Sequence, residues 1–332
     1  MNEIRKVYLC KNKDQCIWKA SSSGGVFYSL AKEFIEKYDG VVYGAAYSEN
    51  FQVEHKRAES VDELKMFRGS KYVQSKCFDT YVNVLDDLKN NRYVMFSGTA
   101  CQIDSLLELV GKNKDRLFTI DVLCHGVPSP QIFREYIKFQ EENYRDTIKN
   151  ISFRGKKIKN EVQDMLIEFN SGKKYSSFST HDIYYNLFLQ NLNIRSCCFE
   201  CPYASKRRVS DITLADYWGD PAKLPMEMKG IGASSVYINT LLGNRLFDKI
   251  KKEFFVLESD LIVCDQPNLN KPTIKPLNYN EFWKYYVDNG FNQTVRKFVG
   301  NYKKVCVVRT IKIVLNEMGI LPIIKWIKGV RK

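Results

Sequence analysis

The sequence predicts an α/β fold with α+β admixture, and two units of similar build carry that prediction. NRYVMFSGTACQIDSLLELVG (91–111) is an apolar run ending in Ser97-Gly98-Thr99, with a helical pattern from about Gln102. DRLFTIDVLCHGVPSPQIFREYIKFQEENY (115–144) repeats the plan, ending its strand in Cys124-His125-Gly126 and starting a helix near Pro130. A third observation bounds the class: 332 residues with 44% hydrophobic and 13% aromatic content suffice for a large packed core.

The remaining elements follow in order. Residues 17–38 (IWKASSSGGVFYSLAKEFIEKY) read as a polar Ser/Gly loop feeding a helix. KYDGVVYGAAYSENFQVEHKRA has the strand, glycine and alternation of a hairpin. A helix starts at 61–66, and RGSKYVQS (68–75) is a polar loop. Residues 150–178 read as an inserted β-hairpin, and 181–192 as a helix leading into SCCFEC (196–201). VSDITLADYWGD is a strand ending in a glycine turn, SSVYINTLLGNRLFDKIKKEF is a strand and helix, and the last 60 residues are mostly helical. The expected divisions are 1–145, an α/β part; 146–265, carrying the C-x-x-C; and 266–332, a helical basic tail.

No run of about 18 apolar residues predicts a spanning helix, and the charged N-terminus has no signal-peptide core, which predicts a cytoplasmic protein. The net charge is +13, of which residues 303–332 supply eight Lys/Arg against Glu317 alone. Apolar residues recur there at helical spacing. The tail therefore suits an anionic membrane surface, an acidic partner, or packing on its own domain. No nucleic-acid-binding motif accompanies the charge, and no G-x-G-x-x-G follows a strand, which excludes a Rossmann dinucleotide site.

The chain has ten cysteines. In a reducing compartment they are ligands, redox centres or small core residues; Cys77, Cys264 and Cys306 have core surroundings, and Cys10 and Cys16 fit no common ligand spacing. Cys198 and Cys201 form the chain's one C-x-x-C, half of a tetrahedral site. Cys101 and Cys124 each follow a strand end, where ligands collect in open α/β sheets. Four thiolates suffice for zinc or a 4Fe-4S cluster, and spacing alone leaves scattered core cysteines equally open. Ser22, Ser23, Gly24 and Gly25, and likewise Ser97, Gly98 and Thr99, precede helices. Such loops receive phosphate or serve as ordinary caps.

SSSGG, VVYGAAY, RGSKYVQS, FSGTACQ, DVLCHGVPSP, the C-x-x-C and SDITLADYWG occur in this order over about residues 6–265. In that ordered set the chain resembles the coenzyme F420 hydrogenase/dehydrogenase beta subunit family. The resemblance implies an FAD- and iron–sulfur-carrying oxidoreductase that passes electrons between a cluster and a flavin and on to a soluble acceptor, coenzyme F420 or another. It implies Cys101, Cys124, Cys198 and Cys201 as ligands of a 4Fe-4S cluster, with Cys197 an extra neighbour. The loop at Ser22–Gly25 and the loop with Arg68, Gly69, Ser70, Lys71, Tyr72 and Gln74 would cradle FAD, Lys71 offering positive charge to the pyrophosphate or the reduced flavin. His125 would tune the cluster or face the isoalloxazine, unless it simply caps the next helix. The chain departs from the family's pattern in starting without the N-terminal ferredoxin module: either the module is a separate protein, which makes a ferredoxin or separate iron–sulfur protein the expected electron donor, or the start site is misplaced, or electron input is degraded. It also departs in carrying Ala100 where proline is usual. Relatives with this wording resemble products of surface-polysaccharide loci. The rival expectation is a redox-silent, zinc-stapled scaffold recruited to a membrane assembly.

Overall fold

Four parallel strands at the middle of one sheet bring their carboxyl ends to a common rim. The computed structural model describes residues 1–156, 163–229 and 232–300; the basic segment 303–332 and Cys306 lie outside the described residues. The first half contains β1 (Asn2–Glu3), β2 (Lys6–Asn12), α1 (Gln15–Ala20), α2 (Val26–Tyr38), β3 (Val41–Tyr47), β4 (Val53–Ala58) and α3 (Phe78–Lys89). The two units read from the sequence follow as β5 (Val94–Thr99), α4 (Ala100–Val110), β6 (Leu117–Val122) and α5 (Pro130–Tyr144). Then come β7 (Ile148–Lys156), β8 (Gln163–Phe169), β9 (Lys174–Phe178), α6 (Ile183–Leu189), β10 (Arg207–Arg208) and β11 (Ile212–Asp216). β12 (Ser234–Ile238), α7 (Leu241–Ile250), β13 (Phe254–Ser259) and α8 (Tyr279–Phe298) complete the described chain.

The main sheet has the order β13-β2-β12-β11-β6-β5-β3-β4. β11, β6, β5 and β3 are mutually parallel, and every other pairing is antiparallel. The sheet thus draws strands from both sides of residue 145. Parallel central strands are covered on both faces and tolerate few polar side chains. Val94, Met95 and Phe96 of β5 are accordingly all buried. On one face α2 and α7 bury Leu30, Phe34 and Phe247 against Phe118 and Val236. On the other, α4 sets Ile103 and Leu106 against Tyr43 and Phe96. Each such side chain contributes roughly 1.5–3 kcal/mol through burial.

Local chemistry sets the helix starts at the rim. Thr99 and Gln102 form a capping box, so α4 begins at Ala100 directly after the strand, two residues earlier than the pattern implied. Ser129 caps α5 with Pro130 in its first turn. The expected hairpin at 150–178 has a third strand: β7, β8 and β9 form a separate antiparallel sheet. That sheet packs with α5, α6 and α8 around a second core of Phe133, Phe153, Tyr184 and Phe282. Among the described residues no helix is long and apolar enough to cross a membrane.

Candidate functional site

Between the rim of the main sheet and the small sheet lies a cavity of about 610 Å³. Its first wall is the Ser/Gly loop and the start of α2. Gly25 caps α2 at φ +88°, a conformation that favours glycine, and no described side chain caps the helix there, so its first amides are available to an anion. Gly24 has another role: a Cβ there would lie 2.1 Å from the Cys10 carbonyl oxygen. Ser22 Oγ accepts from the Ser70 backbone amide at 2.7 Å, which clasps the two loops together.

The second loop contributes cations. Arg68 lies over the Tyr28 ring at 4.1 Å, and its buried Nε has no hydrogen-bond partner among the described residues. Lys71 Nζ donates to the carbonyls of Phe67, Arg68 and Gly69 at 3.4, 3.2 and 3.1 Å. Burial pushes Lys71 down to about 7. From the opposite side Arg154 of β7 reaches Asp216 at the end of β11, at 2.5 Å, and both line the cavity. Tyr185, Phe188 and the exposed Trp218 line that side.

The third wall leads to the cysteines. Burial pushes the Cys124 thiol up to about 12, and Cys198, Cys101 and Cys201 each add to the rise. Cys124 therefore shares an electrostatic neighbourhood with all three. Backbone amides act in the opposite sense: Gly126 donates to Cys124, Val127 to Cys198, and Tyr203 and Ala204 to Cys201. Gly126, at φ +136°, leaves no room for a side chain against Ile194. Among the described residues no three His, Cys, Asp or Glu side chains stand at the spacing of one metal ion. Cys77 and Cys264 are half-buried and buried respectively.

Beneath the rim runs a polar chain that the sequence did not announce. The Thr99 backbone amide donates to Gln102 Oε1 at 3.0 Å, and Gln102 Nε2 donates to Ser75 Oγ at 2.9 Å. Ser75 Oγ is 3.1 Å from His55 Nδ1, and His55 Nε2 is 2.9 Å from the Ser97 carbonyl. Burial pushes His55 down to about 4, the backbone bond to Ser97 opposing it. A neutral ring that donates from Nε2 and accepts at Nδ1 completes the chain. The one available signal was the alternation of β4, which points Val53 and His55 inward.

Of the residues expected at a flavin, Ser22, Ser23, Gly25, Arg68, Gly69, Ser70, Lys71, Tyr72, Ser97, Gly98 and Thr99 line the cavity, as do Cys124 and His125. Gly24 and Gln74 are not in its lining. Gln74 instead accepts from Arg195 Nη1 at 2.6 Å, tying the second loop to the C-x-x-C segment. His125 Nε2 is 2.7 Å from Asn191 Oδ1, and its ring meets Phe188 edge-on. Arg154, Asp216 and Trp218 went unread, because nothing in one chain's sequence shows that β7 faces the end of β11.

Comparison with known proteins agrees with this architecture. A chain of the F420-reducing [NiFe] hydrogenase complex from Methanosarcina barkeri, solved in a xenon-derivatised form, superposes with a TM-score of 0.55 at 14% identity. The match covers 90% of this chain and 92% of that one, and at this identity it speaks for the fold. No curated protein matches in sequence. The family defined by the C terminus of the coenzyme F420 hydrogenase/dehydrogenase beta subunit matches residues 91–261, the span from β5 to just past β13, and the chain belongs to that family.

Proposed function

We propose that the chain is an iron–sulfur flavoprotein oxidoreductase. Cys101, Cys124, Cys198 and Cys201 would hold a 4Fe-4S cluster, and the cavity would hold FAD. The observation that carries this reading is the double position of Cys124. It lines the cavity and is at the same time electrostatically coupled to the other three cysteines. A group in the cavity and a group on the thiolates would share one wall.

The residues fit both groups. The buried Arg68 Nε without a partner, the uncapped amides of α2 and the Ser22–Ser70 clasp make a cradle for a diphosphate. Four thiols, three of them receiving backbone amides, are the soft donor set an iron–sulfur cluster takes. When bound, the cluster supplies one-electron transfer, and the flavin exchanges single electrons for hydride chemistry. The chain's own part is to bind, orient and shield. Lys71 sets positive charge beside the cradle, Phe188 and Tyr72 exclude water, and Gly126 keeps the cysteine loop close to Ile194.

A ferredoxin or another iron–sulfur protein would deliver electrons, and a soluble acceptor, coenzyme F420 or another small molecule, would take them. Anaerobic purification followed by iron, sulfide and flavin assay tests the reading, with Cys124→Ala and Cys198→Ala alongside. About four irons with FAD, and cluster loss in both variants, is the expected result. Bound zinc without flavin would replace this reading with a redox-silent scaffold.

A further inference from the structure

We propose that Thr99 is a positioning residue for the cluster: its hydroxyl donates a hydrogen bond to the Cys101 thiolate and raises the cluster's reduction potential. This rests on the cluster reading above. The sequence leaves Thr99 between phosphate binding and helix capping; its Oγ1 stands 3.1 Å from Cys101 Sγ. A ligating thiolate accepts and cannot donate, so the proton on that bond belongs to threonine. The hydroxyl oxygen meanwhile accepts the Gln102 backbone amide in the capping box, which leaves its single proton for the sulfur.

Thr99 is also held in place. Its own amide is bound by the Gln102 side chain, which is bound in turn to Ser75, and Ser75 to His55. The other three sulfurs receive backbone amides, from Gly126, Val127, and Tyr203 with Ala204. At Cys101, an exposed residue, a side-chain hydroxyl takes that role. Hydrogen bonds to a ligand sulfur spread its negative charge and favour the reduced, more negative cluster. Unlike a backbone donor, this one can be removed without altering a ligand.

The test is a redox titration followed by electron paramagnetic resonance on wild type, Thr99→Val and Thr99→Ser, each first assayed for iron and sulfide. The expected result is four irons in each chain, a lower midpoint potential in Thr99→Val, and the wild-type potential in Thr99→Ser. A Thr99→Val potential equal to wild type overturns the proposal, as does a Thr99→Ser potential displaced as far as that of Thr99→Val. Cluster loss in Thr99→Val with retention in Thr99→Ser also counts against it, since Thr99 would then hold the loop and not tune the metal. A wild-type chain without a cluster fails at the assay, before any titration, and overturns the cluster reading itself.

Discussion

The guanidinium of Arg208 and the carboxylate of Asp121 form an ion pair wholly inside the protein, with side chains 2% and 0% exposed. Asp121 stands on β6 shortly before Cys124. Arg208 also donates to the carbonyls of Tyr203 and Ser205 at 2.8 and 3.2 Å, just past Cys201. Ser210 Oγ gives Asp121 a second donor at 2.7 Å. The pair therefore ties the C-x-x-C segment to the strand that leads into Cys124.

Removing one partner leaves the other charge buried without compensation, a loss of roughly 3–5 kcal/mol. Arg208→Leu is expected to destabilise by about that amount in denaturant unfolding, and to lose bound iron at denaturant concentrations where the wild type keeps it. Asp121→Asn retains the shape but leaves the buried guanidinium, which cannot shed its proton, without its counter-charge, and is expected to cost at least as much.

His55 makes stability depend on pH. Its ring is held down to about 4 when folded, against about 6.5 when unfolded. Between those values the unfolded chain binds more protons, so stability rises with pH and is lost as pH falls from 6.5 towards 4. About 2 kcal/mol should disappear between pH 7 and pH 5. Unfolding curves at the two values check this, and His55→Gln is expected to flatten that part of the profile.

Lys71, pushed down to about 7 by burial, is charged below that pH and neutral above it. Affinity for FAD is therefore expected to fall as pH rises through 7, by up to about tenfold per unit, until the pKa of the bound state is passed. Calorimetric titration of flavin-free protein at pH 6, 7 and 8 measures the slope. Lys71→Met should bind weakly and with little dependence on pH.

Gly24→Ala would place a methyl 2.1 Å from the Cys10 carbonyl oxygen, a backbone atom of β2 that cannot rotate away. Overpacking of this kind costs about 1–3 kcal/mol. The substitution is expected to lower the melting temperature and to reduce flavin retention, because the loop it displaces carries Ser22 and Ser23. Gly69→Ala, where nothing lies within 4 Å of the added carbon, should leave the packing intact and pay only for its φ of +83°.

Much of the short-range chemistry was legible, although the capping box at Thr99 and Gln102 started α4 two residues before the pattern did. The apolar runs of β5 and β6, the Ser129-Pro130 helix start and the strand of SDITLADYWG all read directly, because each depends on residues within one turn or one strand. β2 did not read. Its segment KVYLCKN carries lysines, yet all but Lys6 are buried, Lys11 lying over Trp18 at 4.3 Å and donating to the Lys229 carbonyl at 3.1 Å. A lysine whose stem packs inside and whose amine finds a distant carbonyl has no local signature. The hairpin's third strand escaped for a related reason, since KYSSF gains its strand character from pairing with β8.

By itself the sequence determined the donor inventory: which thiols exist, which follow a strand end, and which glycines stand before a helix. The ordered motifs added the family. Tertiary structure alone decided that Cys101, Cys124, Cys198 and Cys201 share a neighbourhood and that Arg154 meets Asp216. The reason is sheet order. Setting β5, β6 and β11 side by side and parallel brings the segments after them, with Cys101, Cys124 and Trp218, to one rim, while the C-x-x-C segment, which precedes β11, is held to the Cys124 loop by the Pro128–Ile194 bridge and by the Arg195 amide on the Val127 carbonyl; such adjacency comes from long-range hydrogen bonding and core packing, which no local stretch of chain encodes.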